Sequence, residues 1–135
     1  MASAKREKRK AADGQKCASR KYRSQPYGRA KTIWQRAKSR AALKGIQFSI
    51  TLKWIQKRIE KGVCEVTGIK FDLECIGSKN RAAPSIDRKN VNLGYTPRNC
   101  RLVCWHFNAA RSEFSDSDLV ALAKAIIVGA THDRL

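Results

Sequence analysis

The chain has 135 residues, enough for one domain with a modest core, and a formal net charge of +18 at pH 7. No run nears the roughly 18 consecutive apolar residues of a spanning helix, and Met1–Lys10 has no apolar signal-peptide core. The expectation is therefore a cytoplasmic protein with no signal peptide and no membrane partner, and its five cysteines, 17, 64, 75, 100 and 104, are expected to be free or metal-bound rather than disulfide-bonded.

The charge is lopsided. Residues 1–60 hold 18 Lys/Arg against 3 Asp/Glu, whereas residues 61–135 hold 11 against 8. A basic half joined to a nearly neutral half suggests a polyanionic partner. Nucleic acid fits best, because each phosphate contact releases counterions and adds sequence-independent affinity.

Residues 1–27 lack an apolar period and read as a disordered basic arm, either touching nucleic acid or acting as a solubilising tail. Residues 28–130 read as a single domain. Its first part, 28–62, is a helical DNA-binding region. Ile33, Trp34, Ala37, Ala41 and Leu43 form the stripe of a helix over 29–44, ended by Gly45. Arg36, Lys38 and Arg40 lie mostly off that stripe and are expected to contact DNA. Phe48 and Ile50 suit a short extended link. Thr51 caps a second helix, with Leu52, Ile55 and Ile59 at helical spacing and Gly62 after its end. Trp34 and Trp54 read as core residues, with base stacking as the sharper alternative.

The second part, 63–113, begins with a hairpin or knuckle centred on Thr67-Gly68, followed by a surface loop over 74–83. Ser85–Asp87 and Cys100–Cys104 read as short strands, separated by a turn-rich loop, and Trp105–Glu113 as a helix. The third part, 114–130, is a helix opened by a capping box, Ser115 with Asp118, and closed by Gly129. Leu119, Leu122, Ala123, Ile126 and Ile127 are expected inside. The fold class is α+β: mainly helical, with a small ββα unit and a β-knuckle.

The stretch Pro84–Asn108 is the most informative. It holds one carboxylate, Asp87, and two amides, Asn99 and Asn108, divided by short apolar runs. Oxygen donors suit hard divalent ions, and such ions suit phosphate chemistry. A strand–loop–strand–helix path can bring Asp87 and Asn108 together around one ion. A lone Asp would read as a turn residue or helix cap; the company it keeps argues for more.

On these residues the chain resembles the HNH, or ββα-metal, endonuclease superfamily. It looks most like the phage and prophage branch, with Asp87-Arg88, a Gly94-Tyr95 turn, Asn99 and Val103-Cys104-Trp105. The resemblance spans roughly 29–113 and includes the Cys64–Gly68 knuckle. It implies that Asp87 and Asn108 ligate one catalytic Mg²⁺ or Mn²⁺, and that Asn99 holds the loop by hydrogen bonds. Arg111 falls near the basic residue that often follows the last ligand; with Arg98, it is expected to contact DNA.

Two departures stand out. Arg88 occupies the place of the usual water-activating His. Always protonated, it cannot be a general base, but it could clamp the scissile phosphate. Tyr95 and His106 are the other candidates for the base, each with a bland reading as a packing or surface residue. Second, only the first cysteine of each zinc knuckle remains, Cys64 and Cys104, while Thr67 and Phe107 fill the second places. Cys75, Cys100 and His106 have poor spacing for completing a tetrahedral set, so structural zinc is not expected.

The resulting expectation is a divalent-metal-dependent DNA endonuclease of HNH type, phage-encoded, with a homing, junction-resolving or packaging role. Branched DNA would favour a homodimer, since two strands need two sites. The alternative is a non-catalytic nucleic-acid-binding protein that retains a degenerate HNH fold.

Overall fold

The computed structural model describes residues 2–74 and 80–132. Cys75 and part of the expected 74–83 loop lie outside these. In chain order the elements are α1 (Ala2–Ser24), α2 (Pro26–Lys44), α3 (Leu52–Lys61), β1 (Pro84–Arg88), β2 (Cys100–Cys104), α4 (Trp105–Arg111) and α5 (Asp116–Thr131). The architecture is α+β and mainly helical, with one two-stranded antiparallel sheet. Among the described residues no helix is long and apolar enough to cross a membrane.

The segment expected to be a disordered arm is instead α1. Ala, Lys, Arg, Glu and Gln dominate it, all strong helix formers. Having no large aliphatic residue, it buries little, and among the described residues it meets the rest of the fold where α2 begins.

Pro26 sits in the first turn of α2, where its missing N–H removes nothing. Gly45 closes α2 in the left-handed conformation, φ 63°, with its N–H on the carbonyls of Ala41 and Ala42. Ala30, Ala37 and Ala41 form its fully buried stripe, whereas Leu43 is exposed. Small side chains let α2 sit close to its neighbours. Thr51 caps α3 by accepting the Trp54 N–H at 3.1 Å, and Ile55 and Ile59, four apart, face inward.

The hairpin supplies the opposite wall. Its register pairs Pro84 with Cys104, Ile86 with Leu102, Asp87 with Arg101 and Arg88 with Cys100. Side chains alternate between faces along a strand. Ile86, Cys100 and Leu102 share one face and join the core formed by α2 and α3. Full burial of an Ile or Leu side chain contributes about 1.5–3 kcal/mol each, so this layer holds the hairpin in place. The opposite face carries Ser85, Asp87, Arg101 and Val103.

The link after α2 is extended as expected. Phe48 bridges Tyr95: the Tyr95 N–H donates to the Gln47 carbonyl at 2.8 Å, and the Ser49 N–H donates to the Tyr95 carbonyl at 2.9 Å. Gly94 is required there, because a Cβ would lie 2.6 Å from the Gln47 carbonyl oxygen. The knuckle turns at Gly68, φ 71°, and docks on β2. The Glu65 N–H donates to the Leu102 carbonyl, and the Leu102 N–H donates to the Glu65 carboxylate.

Burial pushes the Cys100 thiol up from its ordinary value of 9.0 to about 11. The folded state then keeps a proton that the unfolded chain releases. Stability is fully present below about pH 9 and falls as pH rises to about 11. Denaturant melts across this window are expected to show a shallower alkaline loss in Cys100→Ala than in the wild type; equal slopes would remove Cys100 as a contributor.

Of the residues expected inside α5, Leu119 is half-buried and the others are outside. The capping box is present in both halves, with Ser115 and Asp118 bonded reciprocally. The helix continues through Gly129 to Thr131, however, and Leu122, Ala123, Ile126 and Ile127 are exposed, Ile127 at 63%. Its firm attachment is at Asp116, described below.

Candidate functional site

Asp87 lies on β1 at only 3% exposure. Its Oδ2 accepts from Arg101 Nε at 2.8 Å and from Arg111 Nε at 3.4 Å. Arg101 is directly opposite on β2, so the pairing follows from the strand register. The outer nitrogens of Arg101 fork onto Asp116, at 2.7 and 2.8 Å. Arg111 Nε is 3.3 Å from the same carboxylate. Two carboxylates and two guanidiniums therefore form a closed network joining β1, β2, α4 and α5. The Arg101 hydrogen bonds hold the Asp116 carboxyl below its ordinary range. Sequence reasoning missed Arg101 and Asp116; counting the strand register from Asp87 would have exposed the first.

Asn108, on the first turn of α4, donates from Nδ2 to Ser85 Oγ at 2.8 Å and to the Ile86 carbonyl at 3.2 Å. This fixes its side chain beside the peptide that precedes Asp87. Asn99 is buried and clamps the loop: its Oδ1 accepts from the Asn90 N–H at 3.0 Å, and its Nδ2 donates to the carbonyls of Asn90 and Gly94, each at 2.9 Å. Asn108 is thus held on the residues that immediately precede Asp87, and Asn99 braces the loop that follows β1.

Arg88 points to the other face of β1. It donates to the Leu93 carbonyl at 3.1 Å and lies 4.9 Å over the Tyr95 ring. Tyr95 itself is buried in the core, packed on Phe48, so its ring acts in packing. His106 is exposed on α4. Arg36, Lys38, Arg40 and Arg98 are exposed, with Lys38 lying 4.8 Å over the Trp34 ring.

Arg111, expected on the DNA-contacting surface, is instead 1% exposed. Besides Asp87, it donates to the carbonyls of Phe114, Arg88 and Lys89 at 2.8, 2.6 and 2.9 Å. A guanidinium engaged on all sides by the fold has no face left for a phosphate.

A groove of about 490 Å³ opens beside this hairpin. Arg23, Arg36 and Arg40 line it from α1 and α2; Pro84, Ser85, Ile86 and Trp105 line the other side. Ser85 connects it to Asn108.

Cys64 and Cys104 are buried in one cluster with Val103, against Phe71 and Phe107. Cys64 Sγ accepts the Thr67 N–H at 3.5 Å. Hydrogen bonds from Thr67 and the backbone lower its thiol pKa against the opposing effect of burial.

The donor set suits a hard divalent ion completed by solvent and substrate. Asp87 Oδ1 and Asn108 Oδ1 are the oxygens that the hydrogen bonds above leave open. Mg²⁺ commonly takes one or two carboxylates and fills its shell with waters and phosphate oxygens. Among the described residues no three His, Cys, Asp or Glu side chains converge, so an ion here would rely on such outside ligands.

No family model and no curated protein sequence matches the chain. Among solved structures, the rare-cutting HNH restriction endonuclease PacI is similar at 24% identity and a TM-score of 0.53, over 78% of this chain and 80% of that one. The likeness extends well beyond the hairpin and α4, and with it the chain has an HNH-like fold.

Proposed function

We propose that this protein is a divalent-metal-dependent endonuclease of HNH type acting on DNA. The observation that carries the reading is the Asn108 side chain held on the Ile86 carbonyl, one residue before Asp87, where β1 meets α4. A bound Mg²⁺ or Mn²⁺ would polarise the scissile phosphate and stabilise the leaving oxygen. Asp87 and Asn108 would hold that ion, and Arg101 would orient the Asp87 carboxylate from behind, as outer partners of ligands do. Asn99 keeps the 90–94 loop rigid, so Arg88 presents its remaining donors from a fixed position. With arginine at 88, no side chain there can take a proton from water.

A cleavage panel tests this. Purified protein with Mg²⁺ or Mn²⁺ is expected to nick or cut plasmid or branched DNA, with activity abolished by a chelator. The salt bridges on Asp87 and the arginine at position 88 favour a second reading, a non-catalytic nucleic-acid-binding protein. Intact supercoiled, linear, branched and RNA substrates under every divalent ion, alongside salt-dependent binding, would establish that reading instead.

A second copy of the chain is the occupant we propose for the exposed face of α5. The helix carries two Asp and one Lys in a chain of net charge +18, so two copies meet there with the least repulsion. An isologous pair would also supply one site per strand. Light scattering is expected to give a dimer mass for the wild type and a monomer mass for Ile126→Glu. A wild type that stays monomeric across a wide concentration series would rule this out.

A further inference from the structure

Trp105 is 43% exposed and is one of the residues that line the arginine-bearing groove. The other two tryptophans are already engaged: Trp34 donates its indole N–H to the Ile50 carbonyl at 2.8 Å, and Arg58 covers the Trp54 ring at 3.6 Å. Trp105 opens α4 three residues before Asn108, so the two side chains share one face of that helix. Across the groove, Arg36 and Arg40 lie four apart on α2 and present their charges side by side. The groove's volume is that of a small-ligand site, roughly 300–1,000 Å³, too small for a duplex but suited to part of one strand.

We infer that Trp105 is a nucleobase-stacking platform: a single polynucleotide strand lies in the groove with its phosphates toward Arg36 and Arg40 and one base on the Trp105 ring. This rests on the nucleic-acid reading above and adds which part of the nucleotide is held beside Asn108. Stacking needs an exposed aromatic face and is tolerant of base identity, because every base has a π-face. The groove therefore selects for an unpaired base next to the site and carries no sequence preference of its own.

The test uses the full chain and two single-stranded oligodeoxynucleotides of equal length, one bearing bases and one abasic, at fixed salt. The wild type is expected to bind the base-bearing strand at least about tenfold more tightly. Trp105→Ala is expected to abolish that preference and leave abasic binding unchanged, and Trp105→Phe to retain much of it. Arg36→Ala with Arg40→Ala is expected to weaken both strands and flatten the salt dependence. Equal binding of the two strands by the wild type, or an unchanged preference in a folded Trp105→Ala protein, overturns the inference while the arginine effect leaves the nucleic-acid reading standing. If neither single strand binds, the inference alone is overturned; the nucleic-acid reading falls with it only if duplex and branched DNA also fail to bind.

Discussion

Asp87→Asn is expected to abolish cleavage, by at least about 100-fold, in a protein that still folds; Asp87→Ala is expected to lose much of its fold as well. The difference follows from the two arginines. Asp87 Oδ2 is the shared acceptor for Arg101 and Arg111 in a nearly dry setting. Alanine would leave these guanidiniums facing a void with only Asp116 to balance them, and breaking a buried pair in this way costs about 3–5 kcal/mol. Asparagine keeps an oxygen of the same reach, so the network persists with weakened hydrogen bonds, a loss of about 1–3 kcal/mol. It removes the negative charge that a divalent ion requires. Parallel thermal melts and cleavage rates separate the two effects. Full activity in Asp87→Asn would remove Asp87 as a metal ligand and with it the proposed chemistry.

How much of this was readable from the chain depended on whether the signal was local. Thr51, Gly45 and the Ser115–Asp118 box announce helix ends through their own backbone chemistry, and the structure uses each of them that way. The turn-rich segment between the two apolar runs located β1 and β2, and the order Asp87, Asn99, Asn108 is what the proposed site rests on. What failed was non-local. The spacing of Leu122, Ile126 and Ile127 shows that α5 has an apolar face but cannot show whether another element covers it, and here none of the described ones does. For residues 1–27, low hydrophobicity argued against a packed segment, correctly, yet high helix propensity still makes a helix there. Arg111 read as a DNA contact because it falls near the basic residue that often follows the last ligand in the family the chain resembles. Its true partners are backbone carbonyls and carboxylates from the end of β1 and from Phe114 and Asp116, and the pairing with β1 is one that no local pattern displays.

A stability effect as large as that of Asp87→Ala is expected at Arg111, whose buried guanidinium faces the fold rather than solvent. Its guanidinium satisfies the carbonyls of Arg88, Lys89 and Phe114 while pairing with Asp87. The first two follow Asp87 directly, and Asn108 stands one helical turn before Arg111. The side chain thus pins the end of β1 to the helix that carries Asn108. Arg111→Ala would leave three carbonyls and a carboxylate short of donors, and a loss of about 3–5 kcal/mol is expected. For a domain of this size that lowers Tm by more than about 10 °C. Arg111→Lys should rescue little, because a single ammonium cannot reach acceptors spread around a planar fork. Where Arg111→Lys remains folded at low temperature, its cleavage rate should fall with substrate affinity nearly unchanged, since the exposed Arg36 and Arg40 are untouched. A small Tm change in Arg111→Ala, or a lysine variant as stable as the wild type, would show that this arginine does not hold the site together.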